Sequence, residues 1–422
     1  MKIAFADYPY IPAEPPKSGA VRLVSYALAR RLVQLGHEVL FYGAKAPHHQ
    51  TDEYVEEGIR YRRIKASWID SLLEPLNYLD EWNLSNPQRP FYASKWFFCA
   101  AYRKMVRDMQ QQQCDVIHLH VAFQFVPLMR AFNPQAKIIF HAHSELLPQF
   151  DLAFVEQCLS SADLVLGCSD YITNQVRQYL PHIPCQTLYN GVDLHRFIVP
   201  DRSDFSPTVR ESTPKQILFV GRISPEKGVH VLINAFNRVV SRYPNVELKI
   251  VGPENAVLLW YIPNRQDPKV RSLMPYFRGK YRQLLQQQIS KNAANKVFFI
   301  GKVPHAEIIQ YYQQADIFVF PSVWQEPFGM PLVEAMTMEL PTIATQGGAF
   351  PEIVEEGKTG QLVERGDADS LAEAMLNLLE NQELRLSLGK AGRQRVLEKF
   401  SWDKLTDDLL SYYEVSARIG SR

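Results

Sequence analysis

Short β-branched runs alternate with helical patterns along the whole chain, and the alternation starts twice. In the first half, KIAFADY (2–8) leads through a proline-rich loop to the helical pattern VRLVSYALARRLVQL, a stop at Gly36 and the strand-like EVLFYG. DVIHLH (115–120), KIIFHAH (137–143), ADLVLGCS (162–169) and QTLYNGVD (186–193) continue the series. Residues 198–214, IVPDRSDFSPTVRESTP, lose the rhythm and gather proline, serine and charge, as a linker does. The series then begins again with QILFVGR, NVELKIVG, KVFFIG, ADIFVFPS, LPTIAT and GQLV. Strands that alternate with helices pair in parallel, because a parallel connection needs a crossover long enough to hold a helix. The expectation is α/β: two doubly wound parallel sheets, 1–197 and 215–398, with a C-terminal helix at 399–422 packing back across both. Ligands of such sheets bind beyond the carboxyl ends of the strands, which places the expected site in a cleft between the two domains.

Length agrees, since 422 residues exceed what one ordinary core holds. Lys+Arg 46 against Asp+Glu 45 excludes nucleic-acid binding driven by bulk charge. Five cysteines without a C-x-x-C pair read as reduced thiols. The N-terminus runs straight into a strand and lacks the apolar core of a signal peptide, and no stretch has the roughly 18 apolar residues of a membrane span, so a cytoplasmic protein is expected.

The stretch QEPFGMPLVEAMTMELP (325–341) carries two glutamates, Glu326 and Glu334, around two prolines and a glycine. One helix through all of it would lose backbone donors at Pro327 and Pro331. Instead, Phe318–Phe320 end a strand, a loop runs from Val323 to Met330, and a helix begins at Pro331, where proline's fixed φ suits the first turn. Glu334 is then expected in that first turn. A helix N-terminus with its free N–H groups and positive dipole suits an anion, so a ligand with hydroxyls and phosphates fits.

FVGRISPEKG (219–228) places Gly221 and Arg222 at a strand end and Lys227-Gly228 at a helix start, the layout of a phosphate cradle or of a helix start with solvated charges. Gly19 follows the first strand and is either a turn or a close approach to phosphate. No G-x-G-x-x-G accompanies it, which counts against a dinucleotide-dependent oxidoreductase. His118/His120 and His141/His143 end neighbouring strands on one sheet face. A metal site is open to them, but no acidic or cysteine partner has diagnostic spacing, and polar cleft or core residues are the preferred reading. DAD at 367–369 reads as an N-cap rather than a metal pair. GGAFPEIV (347–354) is a further strand-end loop, with Glu352 near a helix start. Two segments, 66–105 and 254–293, exceed a minimal βα repeat. Each is expected to fold as extra helices, with an acceptor site or a membrane-facing surface as the functional alternative.

Together, SGAVRLVSYALARRLVQLGHEV, DVIHLH, HAHSE, NGVDLHRF, FVGRISPEKG, EPFGMPLVEAM and GGAFPEIVEEGKTGQLV resemble the retaining nucleotide-sugar glycosyltransferases of the GT-B fold, the family 4-like group with lipopolysaccharide, mannosyl and sucrose-type transferases. The resemblance implies a glycosyltransferase of polysaccharide or glycoconjugate biosynthesis. Its co-substrate would be a nucleoside-diphosphate sugar, UDP-linked in preference to GDP-linked although no residue separates the two. No cofactor or metal is implied. Glu334 would hold the ribose hydroxyls and Glu326 would face the transferred sugar. Gly329, Met330, Leu332 and Val333 would bring backbone to the donor, Arg222 and Lys227 would meet its diphosphate, and Gly19 would approach its phosphate. His143 would contact the donor sugar, with His141 a near alternative. Many relatives have two glycines where this chain has Ser18-Gly19, which implies a looser phosphate approach there. The acceptor would be a saccharide, lipid or small molecule, with peripheral membrane contact compatible. A sugar-nucleotide 2-epimerase and a non-catalytic sugar-nucleotide-binding protein are the competing readings.

Overall fold

The computed structural model describes residues 1–16, 19–47, 49–82, 84–199, 213–254 and 266–415. Two compact units emerge, one from Met1–Asn190 with the helix Trp402–Val415, the other from the described residues between Gly191 and Ser401. Most of the expected linker (200–212), Ser18 and residues 255–265 of the second long segment lie outside the described residues.

The first unit is built on eight strands: β1 (Lys2–Ala6), β2 (Glu38–Ala44), β3 (Glu53–Glu56), β4 (Ile59–Ile64), β5 (Val116–Leu119), β6 (Lys137–Ala142), β7 (Leu164–Gly167) and β8 (Cys185–Thr187). They lie in the order β3-β4-β2-β1-β5-β6-β7-β8. Seven run parallel, in registers such as Ile3↔Val39 and Ile3↔Val116. The central residues of β1, β2, β5, β6 and β7 are buried on both faces, which is why these strands read as near-continuous apolar runs.

The parallel-sheet expectation needs one correction, because β3 pairs antiparallel to β4. The hairpin turns on Glu57 and Gly58, both at positive φ (49° and 78°), the backbone of a tight primed turn whose usual signature is Asn-Gly. A second correction shortens QTLYNGVD, which is a strand only over Cys185–Thr187.

The segment 66–105 is helical as expected, in Trp68–Leu73, Asn77–Glu81 and the start of Cys99–Gln111. Two buried aspartates organise it. Asp70 accepts from the backbone N–H of Ser67 at 3.0 Å and from Ala100 and Ala101 at 3.0 and 3.1 Å. Asp80 accepts from Phe91 and Tyr92 at 2.9 and 3.0 Å. Each carboxylate thus joins stretches of chain that share no strand pairing. Helix Trp402–Val415 is fixed to the unit by Arg31–Asp403 at 2.7 Å and by the Tyr412 hydroxyl donating to the Thr187 carbonyl at 3.0 Å.

The second unit carries β9 (Lys215–Val220), β10 (Val246–Val251), β11 (Val297–Gly301), β12 (Ile317–Phe320), β13 (Thr342–Thr345) and β14 (Gln361–Val363). Their order is β11-β10-β9-β12-β13-β14, all parallel. The chain therefore reverses its direction of progress at β9/β12, the topological switch where open α/β sheets hold their ligands. Described parts of 254–293 form helices at Pro268–Arg271, Met274–Arg278 and Tyr281–Gln288. Asp367 caps helix Ala368–Glu380, accepting from the N–H groups of Asp369 and Ser370, so the DAD motif is an N-cap. All five cysteines are free thiols. No helix among the described residues is long and apolar enough to cross a membrane.

Candidate active site

In the second unit the loops after β9, β12 and β13 converge. β9 ends into Gly221 and Arg222, a short turn of 3₁₀ helix runs Pro225–Lys227, and helix Val229–Arg242 starts after Gly228. Gly228 has φ 73°, and a Cβ there would stand 1.9 Å from the Pro321 carbonyl oxygen. Only glycine lets this loop lie against the β12 loop so closely. That approach brings Lys227 to the glutamate motif.

Lys227 Nζ lies 2.8 and 2.7 Å from the two oxygens of Glu326, and both side chains are buried. The Ser322 hydroxyl at 2.9 Å and the Trp324 indole N–H at 2.7 Å donate to the same carboxylate. Burial pushes the Glu326 carboxyl upward, but the Lys227 charge and these hydrogen bonds outweigh it and hold the group below its ordinary value. Lys227 also sits over the Trp324 ring, 4.7 Å from its centre. An ammonium has three donors, of which Glu326 takes two. The Arg222 side chain is 38% exposed and, among the described residues, pairs with Glu226 at 3.3 Å through one nitrogen, so most of its fork stays available.

The helix after the motif runs Met330–Thr337, one residue earlier than expected. Gly329 precedes it at φ 100°, and a Cβ there would meet the Phe350 ring at 2.5 Å. Glu334 therefore falls in the second turn, not the first. The Leu332 and Val333 side chains are buried in the core, so these two can offer a ligand only their backbone. Glu334 is buried as well, with one oxygen 2.9 Å from His305 Nε2 and the other accepting from the Tyr312 hydroxyl at 2.8 Å. Arg196 lies 2.7 Å from His305 Nδ1 and also reaches the His305 carbonyl, extending the chain of contacts behind Glu334. The GGAFPEIV loop closes the group. A Cβ on Gly348 would stand 2.1 Å from the Glu326 carbonyl oxygen, and the Gly348 N–H donates to Gln325 at 2.5 Å.

In the first unit, Gly19 opens helix Ala20–Gln34 at φ 96° with open space where a Cβ would be, so backbone conformation rather than crowding selects glycine. Four histidines gather at the carboxyl ends of β5 and β6, His118 and His141 within the strands and His120 and His143 just beyond them. The rings of His118 and His120 stack at 4.5 Å, His118 Nε2 lies 3.3 Å from His141 Nδ1, and His120 Nδ1 lies 2.9 Å from His143 Nε2. The Tyr413 hydroxyl is 2.6 Å from His118 Nδ1. Burial pushes His118, His120 and His141 well below the ordinary imidazole range and His143 down to about 3, so the cluster is neutral near pH 7. Ring nitrogens of His118, His120 and His141 lie within 4.8 Å of one another, close enough to share a metal ion, although the hydrogen bonds above engage several of them.

Family models match both halves: Glycosyltransferase Family 4 over 18–196 and Glycosyl transferases group 1 over 201–395. The chain is 27% identical to spore coat protein SA of Bacillus subtilis, covering 98% of this chain and 99% of that one. It is 26% identical to the phosphatidyl-myo-inositol mannosyltransferase of Mycolicibacterium smegmatis, covering 95% and 92%. Among solved structures it is similar to the sucrose-phosphate synthase of Thermosynechococcus elongatus, with TM-score 0.71, 22% identity and 98% of each chain covered. It is also similar to Anabaena HepE in complex with UDP and glucose, with TM-score 0.70, 20% identity and coverage of 98% and 99%. The chain belongs to the GT-B glycosyltransferases.

Of the residues expected to act in this glycosyltransferase, Arg222, Lys227, Glu326, Gly329 and Glu334 meet at the carboxyl end of one sheet, and Gly19 and His143 belong to the other unit. Sequence reasoning missed the supports. Ser322 and Trp324 lie within four residues of Glu326, near enough for local reach to suggest them. His305, Tyr312 and Arg196 had no spacing signal, because three separate segments deliver them to Glu334.

Proposed function

We propose that this glycosyltransferase moves a sugar from a nucleoside-diphosphate sugar, UDP-linked in preference to GDP-linked, to an acceptor hydroxyl with retention and without a metal ion. The observation that carries the reading is the buried Lys227–Glu326 pair beside the half-exposed Arg222 at the β9/β12 switch. Anabaena HepE, a protein of the same fold, is seen with UDP and glucose, which supports a nucleotide-sugar donor here.

When the anomeric C–O bond breaks, negative charge grows on the leaving diphosphate. The third donor of Lys227 and the fork of Arg222 stabilise that charge. Protein cations in this role make a divalent ion unnecessary. Glu326 holds Lys227 in place and faces the transferred sugar. Backbone at Gly329, Met330, Leu332 and Val333 approaches the donor, as does Gly19. Glu334, fixed by His305 and Tyr312, accepts from the ribose hydroxyls. His143, neutral near pH 7, contacts the donor sugar. The departing phosphate oxygen takes the acceptor's proton while the new bond forms on the face it leaves.

The protein works in the cytoplasm, and the apolar segment 66–105 meets a membrane surface. Trp68, Leu72, Trp82 and Leu84 are 74, 68, 67 and 69% exposed, a composition suited to the headgroup boundary. Flotation with anionic vesicles at low salt checks this part, and failure to float removes it.

A thermal-shift series with UDP, GDP, ADP, TDP and NAD, first without metal and then with it, tests the donor reading, since a ligand of the folded state raises its stability. Stabilisation by one nucleoside diphosphate without metal is expected. A shift with NAD alone, or with no diphosphate, overturns the reading.

A further inference from the structure

The first unit contains a cavity of about 690 Å³. It has the size and apolar character of a small-molecule site. Three sources line it: the chain after β1, with Tyr8, Tyr10 and Val21; the ends of β5 and β6 and the segments that follow them, with His120 and His143; and the inserted segment 66–105, with Glu74, Asn77 and Glu81. The insertion that exceeds a minimal βα repeat therefore makes a wall.

The lining is aromatic. Tyr10 packs on Phe98 with ring centres 4.9 Å apart and on Phe97 at 5.8 Å. Phe123 packs on Phe150 at 5.4 Å, and Tyr92 on Phe150 at 5.9 Å. All of these line the cavity, and such surfaces favour a flat ring laid face to face or edge to face.

Charge narrows the occupant further. Among the described residues the lining holds no lysine or arginine, and its acids are Glu74, Asp80 and Glu81. Asp80 is spent on two backbone N–H groups, while Glu74 and Glu81 are exposed and make no ion pair among the described residues. The cavity's two histidines are neutral near pH 7. An anion entering here would lose its hydration, meet two carboxylates and find no cation among the described residues. Asn77, Gln124 and Ser144 add neutral polar side chains to the lining, which suit the hydroxyls of a ligand.

We infer that the acceptor of the transfer is an uncharged, hydroxyl-bearing molecule with an apolar ring that occupies this cavity, and that phosphorylated or carboxylated acceptors are rejected. The inference rests on the glycosyltransferase reading for the word acceptor, and on the cavity alone for the chemistry of what binds.

The test measures binding to the full chain without donor, by saturation-transfer NMR and titration calorimetry. The probes are 4-nitrophenyl glucoside, glucose, octyl glucoside and 4-nitrophenyl phosphate. The nitrophenyl glucoside is expected to bind about tenfold more tightly than glucose and about tenfold more tightly than the nitrophenyl phosphate. Tyr10→Ala, at a partly exposed ring, should weaken the glucoside about tenfold. The double variant Glu74→Lys/Glu81→Lys, on an exposed rim, should bring the phosphate to within about threefold of the glucoside while leaving stabilisation by UDP unchanged. Phosphate binding equal to the glucoside in the parent protein overturns the charge argument. Octyl glucoside binding as tightly as the aryl glucoside overturns the ring. A Tyr10→Ala variant that binds normally overturns the site. Stabilisation by UDP is read separately, so a protein that ignores UDP but binds the aryl probe loses the donor reading and keeps the cavity.

Discussion

The two units bury polar groups at the carboxyl ends of their sheets by opposite means. In the second, Lys227 and Glu326 are both charged, and the pair persists because four donors reach one carboxylate. In the first, His118, His120, His141 and His143 stay neutral because burial makes protonation costly. On the proposed function, a charged pair suits a diphosphate, whereas a neutral cluster beside an aromatic cavity suits sugar or acceptor hydroxyls without attracting anions. The contrast predicts that the two sites fail differently when a partner or a proton is changed.

The sharpest break is Lys227→Ala. It leaves Glu326 buried without a counter-charge, which should cost about 3–5 kcal/mol of stability, and turnover should fall roughly 10²- to 10³-fold. Adding Glu326→Gln should restore most of the stability and none of the turnover. Denaturant unfolding with steady-state rates separates the two effects, and a Lys227→Ala protein as stable as its parent would show that the pair does not hold the loop. Arg222→Ala should lose a similar factor in turnover but change stability by less than about 0.5 kcal/mol, because that side chain is half exposed.

Acid should find the first unit before the second. The histidines have folded-state values depressed below 6.5, so between pH 6.5 and about 3 the unfolded chain binds more protons than the folded one. Stability therefore falls as pH drops below 6.5. Glu326 is also depressed, and its contribution, complete above 4.5, is lost only as pH falls beneath that value. One imidazole supplies up to about 1.4 kcal/mol per pH unit, and rings that stay neutral in the folded state while titrating freely in the unfolded chain add, so a loss of at least about 3 kcal/mol between pH 6.5 and 5 is expected. His120→Phe should reduce that slope. Equal stability at both pH values would contradict neutral burial.

The same contrast explains what the sequence disclosed. Six of the seven parallel strands of the first sheet and the six of the second were legible because most of them are short apolar runs set between helical patterns, whereas β4, with Arg60, Arg62 and Arg63, was not, and the glycine-turn and two-glutamate loops were legible because their glycines, prolines and charges sit within ten residues of one another. The β3–β4 hairpin was hidden because Glu57 takes the positive-φ place that asparagine would have announced. The cavity and the Arg196–His305–Glu334–Tyr312 chain were hidden for another reason. They join residues far apart in the chain, and neither period nor spacing records a long-range contact.

That chain sets a smaller prediction within the second unit. His305→Ala removes a hydrogen bond that orients the Glu334 carboxylate, so nucleotide affinity should weaken about tenfold with kcat nearly unchanged. Glu334→Ala should weaken it at least as much, by the same logic at the group itself. Calorimetric titration with UDP checks both, and unchanged affinity in Glu334→Ala would remove the ribose assignment.

The smallest effect concerns the C-terminal helix. Tyr413 reaches His118 Nδ1 at 2.6 Å, while Tyr412 and Asp403 bind other parts of the same unit. Tyr413→Phe keeps the ring and its packing but leaves one imidazole nitrogen without its partner, at a cost of about 1–2 kcal/mol. Because the neutral form of His118 loses a hydrogen bond, its folded-state value should rise toward 6.5, so the loss of stability below pH 6.5 should be smaller and end at a higher pH. A Tyr413→Phe protein with lowered stability but an unchanged slope would mean that the hydroxyl anchors the helix and has no part in keeping the cluster neutral.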